Sequence, residues 1–128
     1  MPAEVKKPKR ILIVEDDEDM RTMYKMVFSG HENEYSIDVE KKAEAALRRT
    51  KEESYDLIIL DIIMEPMTGD SFFVYVRDNN KTAETPILVV SVLSPDTLQT
   101  LKKINHVQFL QKPITEEQFL EKIGRMIG

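Results

Sequence analysis

Five short, mostly apolar runs alternate along the chain with longer segments in which apolar residues recur every three or four positions. Short apolar runs bounded by polar residues are typical of strands, whereas the three- and four-residue spacing is typical of amphipathic helices. The predicted strands are ILIVE (11–15), YSIDV (35–39), LIILD (57–61), ILVVS (87–91) and VQFLQ (107–111). The predicted helices carry the stripes Met20, Met23, Tyr24 and Val27; Ala43, Ala46, Leu47 and Thr50; Phe72, Phe73 and Val76; Leu98, Leu101 and Ile104; and Phe119, Leu120, Ile123 and Ile127.

The composition of the strands indicates how they are arranged. The first, third and fourth are almost continuous Ile, Leu and Val, as in parallel strands that are covered on both faces. The second, YSIDV, alternates apolar with polar residues, which places it nearer an edge. Strict alternation of strands and helices predicts an α/β fold, a doubly wound parallel sheet with right-handed crossovers.

Length and charge restrict the class of protein. With 128 residues the chain is predicted to form one domain, and the net charge of −5 disfavours direct binding of nucleic acid. No apolar run approaches the length of a membrane span or a signal-peptide core, so we expect a cytoplasmic protein. The absence of cysteine excludes disulfides and thiolate chemistry. We expect residues 1–8, which include Lys6 and Lys7, to be a disordered basic tail, and residues 9–128 to be the domain.

Polar side chains follow the ends of four predicted strands. They are Glu15-Asp16-Asp17, Asp61, Ser91 and Gln111-Lys112-Pro113. In a doubly wound sheet, ligands bind outside the carboxyl ends of the strands, so these groups are predicted to converge. Two carboxylates 4 Å apart repel by about 4 kcal/mol at an effective dielectric near 20, so a cation is required among Asp16, Asp17 and Asp61. Mg²⁺ and the Lys112 ammonium would meet that requirement and would also neutralise an incoming phosphoryl group.

At these stretches the chain resembles the response-regulator receiver domain of two-component phosphorelays, whose stand-alone form includes the chemotaxis response regulator. The resemblance rests on ILIVEDDEDMR, DLIILDIIMEPMTG, TPILVVS and FLQKPI, in that order, and covers about residues 9–127. It implies a flavodoxin-like receiver fold with strand order 2-1-3-4-5 and five helices.

The resemblance also implies a role for each residue of the acidic site. Asp61 is expected to accept a phosphoryl group from a histidine kinase or a histidine phosphotransfer protein. Asp16 and Asp17 are expected to hold Mg²⁺, with Mn²⁺ as a substitute, assisted by Asp61 and the backbone carbonyl of Ile63. Lys112 is expected to contact the phosphate.

Further residues are implied to carry the conformational switch. Ser91 matches the switch hydroxyl and is also expected, with Asp61 and Lys112, to take part in the phosphoryl chemistry as a neutral donor. Phe109 matches the aromatic residue that turns inward on activation. The Lys112–Pro113 peptide bond is a candidate cis bond. The family's usual pair of small residues before the last strand is replaced by Asn105-His106, where Asn105 would tolerate a left-handed conformation.

The expected function is therefore a phosphorylatable switch that is not a turnover enzyme. Because the chain ends at Gly128, we expect output through a downstream protein target or onward phosphotransfer. Two alternatives remain open at this point. One is a Mg²⁺-dependent phosphohydrolase, although position 63 carries isoleucine where a general acid would be expected. The other is a docking module that uses the fold without phosphate chemistry.

Overall fold

The computed structural model describes residues 7–61, 69–79, 81–94 and 106–128. Its strands are β1 (Lys9–Val14), β2 (Tyr35–Glu40), β3 (Leu57–Leu60), β4 (Ile87–Ser91) and β5 (Val107–Gln111). The helices within these residues are α1 (Glu18–Phe28), α2 (Ala43–Glu52), α3 (Gly69–Asp78) and α4 (Glu116–Ile127). All five predicted strands are confirmed, with ends that differ from the predicted bounds by at most two residues.

Two of the predicted segments fall wholly or largely outside the described residues. The fourth predicted helix, which carries Leu98, Leu101 and Ile104, is one of them. Most of the predicted tail, residues 1–8, is the other, so its disorder and the domain boundary at residue 9 stay predictions.

The five strands form one parallel sheet in the order β2-β1-β3-β4-β5, which confirms the predicted topology. β2 lies at an edge, as its alternating pattern predicts, and β5 forms the opposite edge. The strand order reverses between β1 and β3, so the carboxyl ends of these two central strands border the crevice where doubly wound folds bind ligands.

The core consists of two layers, one on each face of the sheet. Alternate residues of β1 divide between them: Leu12 and Val14 pack with α2 and α3, whereas Ile11 and Ile13 pack with α1 and α4. The same alternation runs through β3 and β4, because successive side chains of a strand point to opposite faces. Burial on both faces explains why the central strands are almost purely aliphatic.

His106, directly before β5, has a φ of 64°. The residue that takes the left-handed conformation is therefore His106, whereas the sequence interpretation assigned this tolerance to Asn105, which lies outside the described residues. Histidine adopts this region several times more often than most residues with a side chain. The turn brings the His106 carbonyl to 2.8 Å from the Ile87 amide, which starts the pairing of β4 with β5.

The start of α4 is stabilised by a capping box. The Gln118 amide donates to Thr115 Oγ1 and the Thr115 amide donates to Gln118 Oε1, both at 3.1 Å. We expect Thr115→Ala to lower the free energy of unfolding by about 1 kcal/mol, because the hydroxyl acceptor is lost. Urea denaturation followed by circular dichroism measures the change. Thr115→Ser keeps the acceptor and is the control; equal losses in both variants would contradict the capping role.

None of the helices in the described part of the chain has the length and apolar character needed to cross a bilayer.

Candidate functional site

Two acidic residues lie one position beyond the ends of the central strands. In the register of β1 with β3, Ile13 pairs with Ile59 and Val14 with Leu60, so the next residues along the two strands are Glu15 and Asp61. Both are buried, with 1% of Glu15 and 8% of Asp61 exposed. The main chain holds them there, since the Asp61 amide donates to Val14 O at 3.3 Å.

Lys112 provides the cation between these two carboxylates. Its Nζ atom lies 2.8 Å from Asp61 Oδ2 and 3.0 Å from Glu15 Oε1. Burial lowers the pKa of Lys112, but the bonds to Asp61 and Glu15 outweigh burial and the pKa is raised, so the ammonium stays charged. Its amide donates to Ser91 O at 2.7 Å, and the Lys112–Pro113 peptide bond is cis.

At Glu15 the effect of burial on the pKa exceeds that of the neighbouring Lys112 ammonium. Burial raises the pKa of Glu15 to about 7 in spite of the Lys112 bond, and the Asp61 charge adds to the increase. Tyr24 lies in the core beneath the site, where burial and the Glu15 and Asp61 charges raise its pKa as well. The arrangement favours binding of additional positive charge, because a nearby opposite charge stabilises the ionised form of a buried carboxylate.

Asp16 and Asp17, the predicted metal ligands, are exposed. Asp17 is the N-cap of α1, where its Oδ2 accepts from the Met20 amide at 3.2 Å. Glu15, a strand-end residue to which the sequence interpretation gave no role, lies beside Lys112. Strand parity is the signal that identifies it, because Glu15 continues the series Ile11 and Ile13 and therefore shares their face of the sheet.

Ser91 and Phe109, the predicted switch residues, belong to the adjacent strands β4 and β5. They lie on the face of the sheet that packs with α2 and α3. Ser91 is 1% exposed, and its Oγ accepts from the Leu93 amide at 3.3 Å. Phe109 pairs with Val89 in the register of β4 and β5, and its half-buried ring packs against the core layer of α2 and α3. Ser91 is two residues beyond Val89, so hydroxyl and ring are close neighbours on one face.

The donor set suits a hard divalent ion, although the side chains do not enclose one. Among the described residues no three His, Cys, Asp or Glu side chains cluster tightly enough to hold a metal. Mg²⁺ commonly takes only one or two carboxylates and completes its shell with water and substrate phosphate oxygens, so the acids present fit it. Ile63, whose carbonyl is the remaining predicted ligand, lies outside the described residues.

Comparison with known proteins identifies relatives over nearly the whole chain. The chain is 31% identical over 120 residues to the sensor histidine kinase TmoS of Ectopseudomonas mendocina, covering 93% of this chain and 12% of TmoS. It is 28% identical over 120 residues to the response regulator ArlR of Staphylococcus saprophyticus, covering 92% of this chain and 52% of ArlR. The chain thus spans about half or less of these relatives.

Solved structures share the fold. The chemotaxis response regulator CheY4 of Vibrio cholerae superposes with a TM-score of 0.85 at 28% identity, over 93% of this chain and 98% of CheY4. The receiver domain of the sensor histidine kinase PA1611 from Pseudomonas aeruginosa, solved with a magnesium ion coordinated in its active site cleft, gives a TM-score of 0.82 at 22% identity, over 94% of this chain and 98% of that domain.

A family model, the response regulator receiver domain, matches residues 11–124. The chain belongs to the family of response regulator receiver domains of two-component signalling.

Proposed function

We propose that Asp61 accepts a phosphoryl group from the phosphohistidine of a histidine kinase or a histidine phosphotransfer protein. The observation that carries this proposal is the Lys112 ammonium, 2.8 Å from the Asp61 carboxylate in a buried position. A carboxylate held there by a charged donor is a nucleophile placed beside the group that neutralises the incoming phosphate. The relatives include a sensor histidine kinase and a response regulator, which supports a phosphohistidine donor.

In the proposed transfer, an Asp61 carboxylate oxygen attacks phosphorus, and the phosphorus–nitrogen bond of the phosphohistidine breaks as the oxygen–phosphorus bond forms. The electron pair of the broken bond stays on the imidazole of the donor protein. Lys112 then donates to a phosphoryl oxygen. Its ammonium therefore neutralises the Asp61 carboxylate before the transfer and the phosphoryl group after it.

We propose that the reaction depends on Mg²⁺, with Mn²⁺ as a substitute. Asp16 and Asp61 would hold the ion together with the Ile63 carbonyl, and Glu15 would take the supporting role first given to Asp17, whose carboxylate caps α1. When bound, the ion supplies positive charge that neutralises carboxylate and phosphoryl oxygens. The receiver domain of PA1611 was solved with a magnesium ion coordinated in its active site cleft, which supports the choice of Mg²⁺.

The phosphorylated domain is proposed to act as a switch. A new phosphoryl oxygen would attract the Ser91 hydroxyl, which now accepts from the Leu93 amide, and Phe109 would move in the space vacated beside it. Phosphorylation shifts the population toward a second conformation that binds a downstream protein. Alternatively, the domain passes the phosphoryl group onward. We place these events in the cytoplasm and treat the switch as a carrier rather than a turnover enzyme.

The proposal is tested by incubating the protein with acetyl phosphate and measuring its intact mass in Mg²⁺ and in EDTA. We expect one phosphoryl adduct in Mg²⁺ and almost none in EDTA, because the carboxylates then lack the second cation that a phosphoryl group requires. Borohydride reduction followed by peptide mapping should place the adduct at Asp61. Calcium serves as the control divalent ion, since it is larger than Mg²⁺ and takes more oxygen ligands at longer distances.

Absence of an adduct with acetyl phosphate, and also with a phosphorylated histidine phosphotransfer protein as donor, would reject phosphoryl acceptance. The docking module without phosphate chemistry would then be the better assignment.

A further inference from the structure

Glu15 and Asp16 form the turn between β1 and α1, and the side chain of Arg21 in α1 donates hydrogen bonds to this turn. Arg21 Nη1 donates to Glu15 O at 3.1 Å and to Asp16 O at 2.6 Å. Arg21 belongs to the first turns of α1, whose N-cap is Asp17. One guanidinium therefore binds both peptide carbonyls that lie between the end of the strand and the start of the helix.

Within residues 7–61, 69–79, 81–94 and 106–128, no main-chain amide outside the strands and helices donates to either carbonyl. β1 ends at Val14, and the first helical acceptor is Asp17 O, which binds the Arg21 amide at 3.0 Å. Asp16 is exposed, but Glu15 is buried, and a buried backbone carbonyl requires a donor from elsewhere. Arg21 meets this need through its side chain, while its own amide takes part in the helix, so the guanidinium and the turn are fixed to the same rigid element.

The geometry points to Arg21 as a positioning residue for Mg²⁺ binding, an inference that rests on the proposed function. By holding the carbonyls of Glu15 and Asp16, the guanidinium sets the backbone orientation from which both carboxylates project. Groups that orient metal ligands without touching the metal commonly change affinity by about 10- to 100-fold when they are removed.

The charge of Arg21 acts in the opposite direction. A guanidinium near the site repels a divalent cation, so its removal would strengthen Mg²⁺ binding if charge were its main effect. Arg21 is only partly buried, and water screens its charge, whereas the hydrogen bonds act directly on the residues that carry the ligands. Positioning is therefore the larger effect, and the two effects have opposite signs in a binding measurement.

The experiment is a calorimetric titration of the metal-free protein with Mg²⁺ alone, for wild type, Arg21→Met and Lys25→Met. Lys25 is exposed one turn further along α1, so Lys25→Met removes an equal charge from the same helix. We expect Arg21→Met to raise the Kd for Mg²⁺ about tenfold and Lys25→Met to change it less than twofold. The thermal midpoint of each metal-free variant is measured in parallel, because a purely structural residue would lower this midpoint without changing the Kd.

The outcomes separate this inference from the function on which it rests. An unchanged or lower Kd in Arg21→Met, with normal binding by wild type, would overturn the positioning role alone. No Mg²⁺ binding by wild type would overturn both the metal assignment and this inference. If Arg21→Met does not fold, Arg21→Lys provides the test: it keeps the charge, but its ammonium ends one bond short of the position of Nη1, which binds both carbonyls, and a Kd equal to that of wild type would reject the role.

Discussion

Replacing Asp61 with asparagine is expected to abolish phosphoryl acceptance. The amide keeps the shape of the side chain but removes the nucleophilic carboxylate oxygen. The buried charge also disappears next to Glu15, so we expect the urea midpoint of the variant to equal or exceed that of wild type. Intact-mass measurement after incubation with acetyl phosphate and Mg²⁺ gives the first result, and urea denaturation shows that the loss is not caused by unfolding.

Asp17→Asn is the matched control for this experiment, since it makes the same chemical change next to the same site. Asparagine is an N-cap as good as aspartate, so α1 should keep its start and the adduct should form as in wild type. An adduct on Asp61→Asn would reject Asp61 as the acceptor. Loss of the adduct in Asp17→Asn would instead restore Asp17 as the metal ligand that the sequence interpretation predicted.

Replacing Lys112 with methionine is expected to lower the free energy of unfolding by roughly 3–5 kcal/mol in metal-free buffer, the usual cost of removing one partner from a buried ion pair. The ammonium is the donor that joins the Glu15 and Asp61 carboxylates, and only 14% of its side chain is exposed. Methionine retains most of the aliphatic stem, so the loss reports mainly the charge. Urea denaturation in EDTA measures it.

Two further variants assign this loss to the buried acids. Lys51→Met removes a lysine from the exposed face of α2 and should leave the unfolding free energy within about 0.5 kcal/mol of wild type. Adding Glu15→Gln to Lys112→Met should recover part of the loss, since one of the two buried charges is removed. A Lys112→Met protein as stable as Lys51→Met would show that the ammonium does not compensate the acids.

Most of the fold could be predicted because hydrophobic periodicity and burial are closely connected in this architecture. ILIV, LIIL and ILVV are typical of central parallel strands that are buried on both faces, and the structure places β1, β3 and β4 in that position. YSIDV could be assigned to an edge for the converse reason. The left-handed residue before β5 could not be assigned with the same certainty, since Asn105 and His106 both tolerate that conformation.

The candidate site could be predicted in part. Asp61 and Lys112 follow single strands and have no competing neighbour of like charge, so their positions could be read directly. The run Glu15-Asp16-Asp17 contains three consecutive acids, of which the sequence analysis assigned two as metal ligands. Composition does not distinguish a metal ligand from a helix N-cap. The choice depends on where β1 ends and which face each residue occupies. The Arg21 contacts with Glu15 and Asp16 depend on the shape of a turn, which no periodic pattern encodes.

The position of Glu15 and Asp61 one step beyond the paired strands has a consequence for how such a protein can change in evolution. Adding or deleting one residue within β1 would move Glu15 to the opposite face of the sheet, among the side chains that pack with α2 and α3. Adding two residues would restore the face but displace the carboxylate by about 7 Å along the strand. We therefore expect length variation to be confined to the loops, because the fixed lengths of β1 and β3 keep the two acids on one face of the sheet.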